Sequence, residues 1–254
     1  MLIDTHAHLY AGDFNDDRDE VMTRALAEGV EKIILPNIDH TSAGPMLEMV
    51  RHYPERCIPL MGLHPTSVDE DYTKALDSVE RWFRDEKFFG VGEIGIDLYW
   101  DTTRQREQEE AFRQQLRLAR TLHLPVVIHV RNSFDEVWSI LEKEHQGVLK
   151  GIFHCFSGTM EQALEVIGAG FFLGIGGVVT YKNNTLAQVV QRVGAGSLVL
   201  ETDAPWLSPV PFRGRRNESA YLVHVAGKVA SLTGMSPDEV AEITTANARK
   251  LFGI

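Results

Sequence analysis

Short apolar runs alternate with amphipathic segments along the chain. Each run has the length of one buried strand and is followed by a turn and then by a stretch with helical periodicity. Eight such runs occur, at Met1–Thr5, Lys32–Pro36, Ile58–Leu63, Phe88–Ile94, Pro125–His129, Gly151–His154, Phe171–Ile175 and Ser197–Glu201. This alternation predicts parallel strands connected by helices.

The amphipathic segments predict the connecting helices. Gln105–Leu122 is the clearest, because Phe112, Leu116 and Ala119 recur at helical spacing and glutamates crowd its first half, where the helix dipole favours negative charge. The amphipathic segment that contains it begins at Arg104. The other predicted helices lie at Asp17–Glu28, Thr41–His52, Thr73–Asp85, Phe134–Glu144 and Met160–Gly168.

Eight strands are the number that closes a (β/α)8 TIM barrel, and 254 residues suit one such domain over residues 1–254. An extra C-terminal helix is predicted over Pro237–Leu251, since Ser236 and Glu239 have the spacing of a capping box. A doubly wound open sheet is the alternative. It loses support because no glycine-rich phosphate loop follows the first strand.

Composition narrows the class of protein. The chain is 44% hydrophobic and 24% charged, which is ordinary for a globular protein. No apolar run reaches the roughly 18 residues of a membrane span, and the N-terminus lacks the features of a signal peptide. We therefore expect a cytoplasmic protein without membrane contact, a monomer or weak oligomer, with Cys57 and Cys155 reduced.

The net charge of −11 argues against binding nucleic acid by broad neutralisation of its phosphates. It leaves open an enzyme that holds one or two phosphates through bound cations.

Polar side chains with metal-ligand chemistry cluster at the C-terminal ends of five predicted strands, which meet at the mouth of a barrel. They are His6, His8, Glu93, His129, His154 and Asp203. A lone histidine at a strand end is usually structural, but a structural role for all six would have to explain why buried polar groups gather in one place. The pattern indicates a metal site.

Six ligands are too many for one hydrolytic metal with an open position, but they fit two ions roughly 3.5–4 Å apart. Glu93 is the expected bridge between them. His6, His8 and Asp203 are assigned to one ion, and the remaining two histidines to the other. Imidazole and carboxylate ligands together suit Mg²⁺ or Mn²⁺, and also Zn²⁺, Ni²⁺ or iron.

The predicted chemistry is hydrolysis by a water that bridges the metals, whose pKa they lower. Asp203 is the expected general base; its structural alternative is a helix N-cap before Pro205. Glu201, two residues earlier, is expected to orient a neighbouring ligand. Of the adjacent His154 and Cys155, only one can face the site if they lie in a strand, and His154 is favoured.

Three further positions suggest substrate binding. His64 ends the third strand and is expected to bind an anionic oxygen, and Arg131 lies on the same strand face as His129. Arg213, Arg215 and Arg216 follow the last strand. Phosphate binding, pairing with Glu218 and simple solvation of the loop are the three interpretations of this cluster.

Taken together, these motifs resemble the TatD family of metal-dependent hydrolases, amidohydrolase-like barrels, over essentially the whole chain. The blocks that carry the resemblance are Leu2–His8, Val91–Asp97 and Leu200–Pro205, supported by Gly62–Pro65, His129–Arg131, His154–Gly158 and Arg213–Glu218. The chain departs from the family at two positions: Tyr10 stands where Asp or Asn is common, and Ser219 where proline is usual.

The resemblance implies a Mg²⁺- or Mn²⁺-dependent deoxyribonuclease of the 3′–5′ exonuclease type, acting on DNA ends or another phosphate ester. It implies the same six ligands, a bridging Glu93 in place of a carbamylated lysine, and phosphate contacts from His64 and Arg131.

Two other function classes remain open. The same centre could attack a carbonyl, as an amidase, lactonase or deacylase would, and family relatives have been linked to removal of D-amino acids from tRNA. A non-catalytic binding protein would be expected to lack some of the ligands, and this chain lacks none of them.

Overall fold

The computed structural model describes residues 1–182 and 185–254. Eight strands occur within those ranges: β1 (Leu2–Asp4), β2 (Val30–Pro36), β3 (Cys57–Leu60), β4 (Val91–Asp97), β5 (Val126–Arg131), β6 (Gly151–Phe153), β7 (Phe172–Ile175) and β8 (Leu198–Leu200). Every paired neighbour is parallel. The strands follow the order of the chain, as a singly wound barrel requires.

The strands close into a ring. Hydrogen bonds join β1, β2 and β3 in one sheet and β4, β5, β6, β7 and β8 in another. The two sheets contact each other at two seams, between β3 and β4 and between β8 and β1. At one seam Met61 bridges Val91. At the other, Ala7 bridges Ala204, and the Thr5 backbone N–H donates to the Leu200 carbonyl at 3.0 Å. The predicted (β/α)8 barrel is confirmed.

Helices connect the strands and cover the outside of the barrel. They are α1 (Arg18–Ala27), α2 (Ala43–His52), α3 (Tyr72–Asp85), α4 (Gln105–Leu122), α5 (Phe134–His145), α6 (Met160–Gly168), α7 (Leu186–Val193), α8 (Leu222–Thr233) and α9 (Pro237–Phe252). The sequence-based limits of the first six are right to within two residues, while α7 and α8 were not predicted. No helix in the described ranges is both long and apolar enough to cross a membrane.

The extra C-terminal helix begins as its sequence predicts. The Ser236 hydroxyl accepts from the Glu239 backbone N–H at 3.2 Å, and the Glu239 carboxylate accepts from the Ser236 N–H at 2.7 Å. Phe252 packs with Ile34 and Val127 in a cluster of barrel residues. It lies close to Gly90, which immediately precedes β4. Helix α9 thus covers the amino ends of the strands and leaves the carboxyl ends open.

Candidate metal centre

The structure brings all six predicted ligands together at the carboxyl ends of the strands. Three groups have potential ligand atoms within 4.8 Å of one another: His6, His8 and Asp203; His6, Glu93 and His154; and His64, Glu93 and His129. The groups overlap in His6 and Glu93, so they form one continuous site. That these side chains bind metal remains a prediction.

Glu93 lies at the centre, and its two carboxylate oxygens face different partners. Oε2 lies 3.1 Å from His6 Nε2 and 3.7 Å from His8 Nε2. Oε1 lies 2.8 Å from His129 Nδ1 and 3.7 Å from His154 Nε2. This division matches the arrangement that a carboxylate needs to bridge two cations.

Asp203 lies in the segment after β8 and approaches the same cluster of side chains. Its Oδ1 lies 3.8 Å from the Nε2 atoms of His6, His8 and His154. No helix begins at Pro205, so the alternative N-cap role of Asp203 is wrong. The carboxylate is therefore directed at the ligand cluster.

His6 and His8 lie beyond the end of β1, and their rings approach each other. Their Nε2 atoms are 3.1 Å apart. His8 Nδ1 lies 2.7 Å from the Tyr10 hydroxyl, which donates its only proton to the Pro36 carbonyl at 2.5 Å. Since that hydroxyl can then only accept, His8 carries its proton on Nδ1 and keeps the Nε2 lone pair free.

Burial sets the charge of these groups. It lowers the pKa of His6 and lowers that of His8 well below its usual value, so both rings are neutral. Burial also raises the pKa of Asp203 to about 7. For Glu93, burial alone would raise the pKa, but the surrounding histidines hold it well below its usual range. The half of the site at His6 and His8 therefore combines neutral imidazoles with the ionised carboxylate of Glu93.

His129 is held between two carboxylates. Its Nδ1 lies 2.8 Å from Glu93 Oε1, and its Nε2 lies 2.9 Å from Asp97 Oδ2. Burial alone would lower the pKa of His129, but the hydrogen bonds to Asp97 and Glu93 raise it to about 9. Asp97 was not among the predicted site residues, although it lies four residues after Glu93 in the same strand and so shares its face.

Glu201 lies next to His154, and its expected role in orienting that ring remains a prediction. His154 Nδ1 lies 3.0 Å from Glu201 Oε1, which also accepts from the Cys155 N–H at 2.6 Å. A Cβ on Gly174 would lie 2.3 Å from Glu201 Oε2, so glycine makes room for this carboxylate. Because β6 ends at Phe153, the alternation expected for residues of a strand does not apply to His154 and Cys155, and both have donor atoms within 4.8 Å of Glu201.

His64 differs from the other histidines in the direction of its hydrogen bonds. Its Nδ1 accepts from the Thr66 backbone N–H at 3.1 Å, so the neutral ring carries its proton on Nε2. Burial lowers the pKa of His64. Nε2 lies 3.4 Å from Glu93 Oε1. An Nε2–H at this position suits an anionic oxygen better than a metal.

The arginines near the mouth have different surroundings. The Arg131 guanidinium stacks on Tyr99 at 3.9 Å from the ring centre, and none of the described carboxylates pairs with it. Arg216 instead forms a two-pronged ion pair with Asp17, at 2.6 and 2.7 Å. Arg213 lies over the Tyr181 ring. Of these three arginines, Arg216 is paired with a carboxylate of the described residues, while Arg131 and Arg213 each lie over a tyrosine ring.

Glu218 pairs with Arg24 of α1, at 2.6 and 2.7 Å. The alternative in which it neutralises the arginine loop is therefore wrong. Arg216 pairs with Asp17, directly before α1. Both ion pairs therefore connect this loop to the start and body of α1.

Both departures from the family motifs have a structural place. Tyr10 holds His8. Ser219 donates to Asp4 Oδ2 at 2.7 Å, beside the Thr202 hydroxyl, which donates to the same oxygen at 2.6 Å. Asp4 lies at the end of β1 and Thr202 just after β8, so these bonds fix the two backbone segments that present His6 and Asp203.

The donor set fits divalent cations. Two neutral imidazole nitrogens point at each other at 3.1 Å, and a lone pair on His8 Nε2 faces the space they share with Glu93 and Asp203. A cation bound by both nitrogens would place them at about this separation, given bond lengths of roughly 2.0–2.1 Å. His6 Nδ1 has no hydrogen-bond partner among the described atoms.

Comparison with known proteins identifies the family. The sequence model described as TatD related DNase matches residues 3–253. The chain belongs to this family. It is 39% identical to the "uncharacterized metal-dependent hydrolase YabD" of Bacillus subtilis, with both chains covered completely. It is 32% identical to the "3′-5′ ssDNA/RNA exonuclease TatD" of Citrobacter koseri, over 100% of this chain and 99% of that one.

The fold agrees with this membership. The crystal structure of YjjV, a TatD homologue of Escherichia coli K12, superposes with a TM-score of 0.93 at 29% identity, over 100% of this chain and 98% of that chain. The family expected from the motifs is confirmed, and with it the assignment as a metal-dependent hydrolase.

Proposed function

We propose that this protein is a two-metal-ion phosphodiesterase that removes nucleotides from the ends of single-stranded DNA, in the 3′–5′ direction, as one domain over residues 1–254. The observation that carries the proposal is the position of Glu93, which turns one oxygen to His6 and His8 and the other to His129 and His154. The name of the Citrobacter koseri relative supports the choice of substrate.

In the proposed site, His6, His8 and Asp203 would hold one divalent ion, His129 and His154 would hold the other, and Glu93 would contribute one oxygen to each. Bound there, Mg²⁺ or Mn²⁺ would polarise the phosphate and lower the pKa of the attacking water. Glu201 keeps the His154 ring in place from behind, at 3.0 Å.

Asp203 is the proposed general base. Its pKa of about 7 in the buried site means that the carboxylate can accept a proton near neutral pH. Its Oδ1 lies 3.8 Å from three histidine nitrogens, so it borders the space in which the reacting water must lie. As the water oxygen bonds to phosphorus, its proton would pass to Asp203. The bond between phosphorus and the leaving 3′ oxygen of the neighbouring nucleotide would break, and that oxygen would take up a proton from solvent.

Two groups bind the phosphate. His64 carries its proton on Nε2, because Nδ1 accepts from the Thr66 backbone N–H. This Nε2–H can donate to a non-bridging oxygen of the phosphate. Arg131 supplies a guanidinium that the described residues leave without a carboxylate partner. Arginine offers the planar pair of donors that phosphate oxygens accept.

The test is the hydrolysis of end-labelled single-stranded DNA by metal-stripped protein after addition of Mg²⁺, Mn²⁺ or Zn²⁺, with Asp203→Asn as control. Metal-restored trimming from the 3′ end, lost in the variant, is the expected result. Trimming from the 5′ end would correct the polarity.

No trimming by folded, metal-loaded protein would contradict the proposal. Faster turnover of a phosphate-free lactone or ester would then favour the carbonyl hydrolase.

A further inference from the structure

Exposed aromatic side chains are confined to one region of the described chain. They are Tyr99, Trp100 and Trp206, which are 54%, 70% and 48% exposed. The first two follow β4 directly, and Trp206 lies three residues after Asp203. Large apolar rings are costly to leave in water, so their restriction to the mouth of the barrel indicates that something binds there.

The Tyr99–Trp100 pair is fixed to the metal centre through Asp97. Asp97 Oδ1 accepts from the Tyr99 and Trp100 backbone N–H groups at 3.0 and 3.4 Å. Its Oδ2 meets His129 Nε2 at 2.9 Å. One carboxylate therefore positions both a candidate ligand and the two rings, which meet edge to face at 4.9 Å.

A positive charge lies against these rings. The Arg131 guanidinium is 3.9 Å from the Tyr99 ring centre and 5.1 Å from that of Trp100. An anionic group bound by Arg131 would thus have aromatic surface beside it. A nucleotide has this combination, since its phosphate is joined to a flat base.

Trp206 provides a second exposed ring, on the side of the cluster formed by His6 and His8. Its ring centre lies 5.2 Å from that of His8, and the planes are inclined at 64°. Aromatic faces therefore border both halves of the ligand cluster, one beside His129 and one beside His8.

We infer that Trp100 with Tyr99, and Trp206, are stacking sites for unpaired nucleobases on the two sides of the scissile phosphate. This rests on the proposed function and goes beyond it, because it explains a preference for single strands: bases stacked in a duplex cannot lie on protein rings. Stacking on aromatic side chains tolerates every base, so the inference also predicts little sequence preference.

The test compares single-stranded oligothymidylate with an abasic strand of the same length, which keeps the phosphates but lacks bases. Trp100→Leu and Trp206→Leu should each raise the KM for oligothymidylate about tenfold and leave kcat within about twofold. The KM for the abasic strand should not change. Trp100→Phe and Trp206→Phe keep a ring and should restore most of the affinity.

Leu164→Ala is the control for loss of an exposed apolar side chain, since Leu164 is 55% exposed on α6, away from the rings. An unchanged KM for oligothymidylate in both leucine variants, with hydrolysis intact, would overturn the inference. Equal losses on the abasic strand would overturn it too.

Failure of the proposed function gives a different result, which is no hydrolysis of either strand by the wild type. Fluorescence anisotropy of a labelled strand then still decides the inference. Tighter binding of oligothymidylate than of the abasic strand, abolished by the leucine variants, supports stacking, and equal binding of both strands contradicts it.

Discussion

The Tyr10 hydroxyl lies 2.7 Å from His8 Nδ1 and donates its own proton to the Pro36 carbonyl on β2. His8 must therefore donate to Tyr10, and its Nε2 is left as an acceptor directed at Glu93 and Asp203. The tyrosine does for this ring what carboxylates and backbone carbonyls do for many metal-bound histidines, which is to fix both tautomer and orientation.

Tyr10→Phe should weaken metal binding. The variant keeps the ring but removes the hydroxyl that accepts from His8 Nδ1–H, and loss of such a partner typically costs about 10- to 100-fold in affinity. Isothermal titration calorimetry of the metal-stripped protein with Mn²⁺ measures the change in affinity. Tyr53→Phe is the matched control, because its hydroxyl bonds to Asp19 on the surface. Equal affinities for wild type and Tyr10→Phe would contradict this role.

Metal affinity should rise with pH between about 6 and 9. The pKa of Asp203 is raised to about 7 by burial, and that of His129 to about 9 by Asp97 and Glu93, so both hold protons that a cation must displace. Each displaced proton makes affinity rise up to about tenfold per pH unit. Calorimetric titrations across this range measure the slope.

Asp203→Asn should flatten the lower part of that curve and leave the upper part, which His129 controls. A dissociation constant that does not vary with pH would show that neither proton is displaced.

Ser219→Ala should destabilise the fold more at pH 8 than at pH 4. Burial raises the pKa of Asp4 to about 6 from an ordinary 3.8, despite the hydrogen bonds from Thr202 and Ser219. Folding therefore favours the protonated form, and the stability contributed by Asp4 falls as pH rises between these values. The Ser219 hydroxyl stabilises the charged form that persists above this window.

Urea denaturation in EDTA measures the effect, which should be about 1–2 kcal/mol at pH 8. A loss of the same size at both pH values would show that the hydroxyl does not act through the charge of Asp4.

The grouping of the candidate ligands could be predicted from the sequence, because the ends of the strands converge at the mouth of the barrel. His6, His154 and Asp203 are far apart in the chain, but each follows an apolar run, and the barrel brings those ends together. Periodicity also located the helix over Gln105–Leu122. The pattern of apolar runs is thus enough to predict that these ligand residues lie close together.

The sequence was not sufficient for the groups around the ligands. The role of Tyr10 depends on a carbonyl 26 residues away, and that of Ser219 on Asp4, 215 residues away. Arg216 and Arg131 look alike in sequence, yet only the three-dimensional contact with Asp17 separates them. His8 donates from Nδ1 and His64 accepts at Nδ1, and this difference cannot be predicted from residue spacing.

Arg131→Ala should weaken binding of single-stranded DNA and reduce its salt dependence. Loss of one phosphate contact lowers the slope of log affinity against log salt by about 0.7 for a single strand. Anisotropy measured across a salt series gives this slope. Arg216→Ala, whose charge is paired with Asp17, is the control and should leave the slope unchanged. Equal slopes for wild type and Arg131→Ala would remove Arg131 from the phosphate site.

The central claim is that hydrolysis requires two cations joined by Glu93. We would add Mn²⁺ stepwise to stripped protein and measure, in the same samples, bound metal by native mass spectrometry and cleavage of single-stranded DNA. Activity is predicted to appear only as the second ion binds, and Glu93→Gln should lose both the second ion and the activity. Full activity with a single bound ion, or none with both sites filled, would contradict the account.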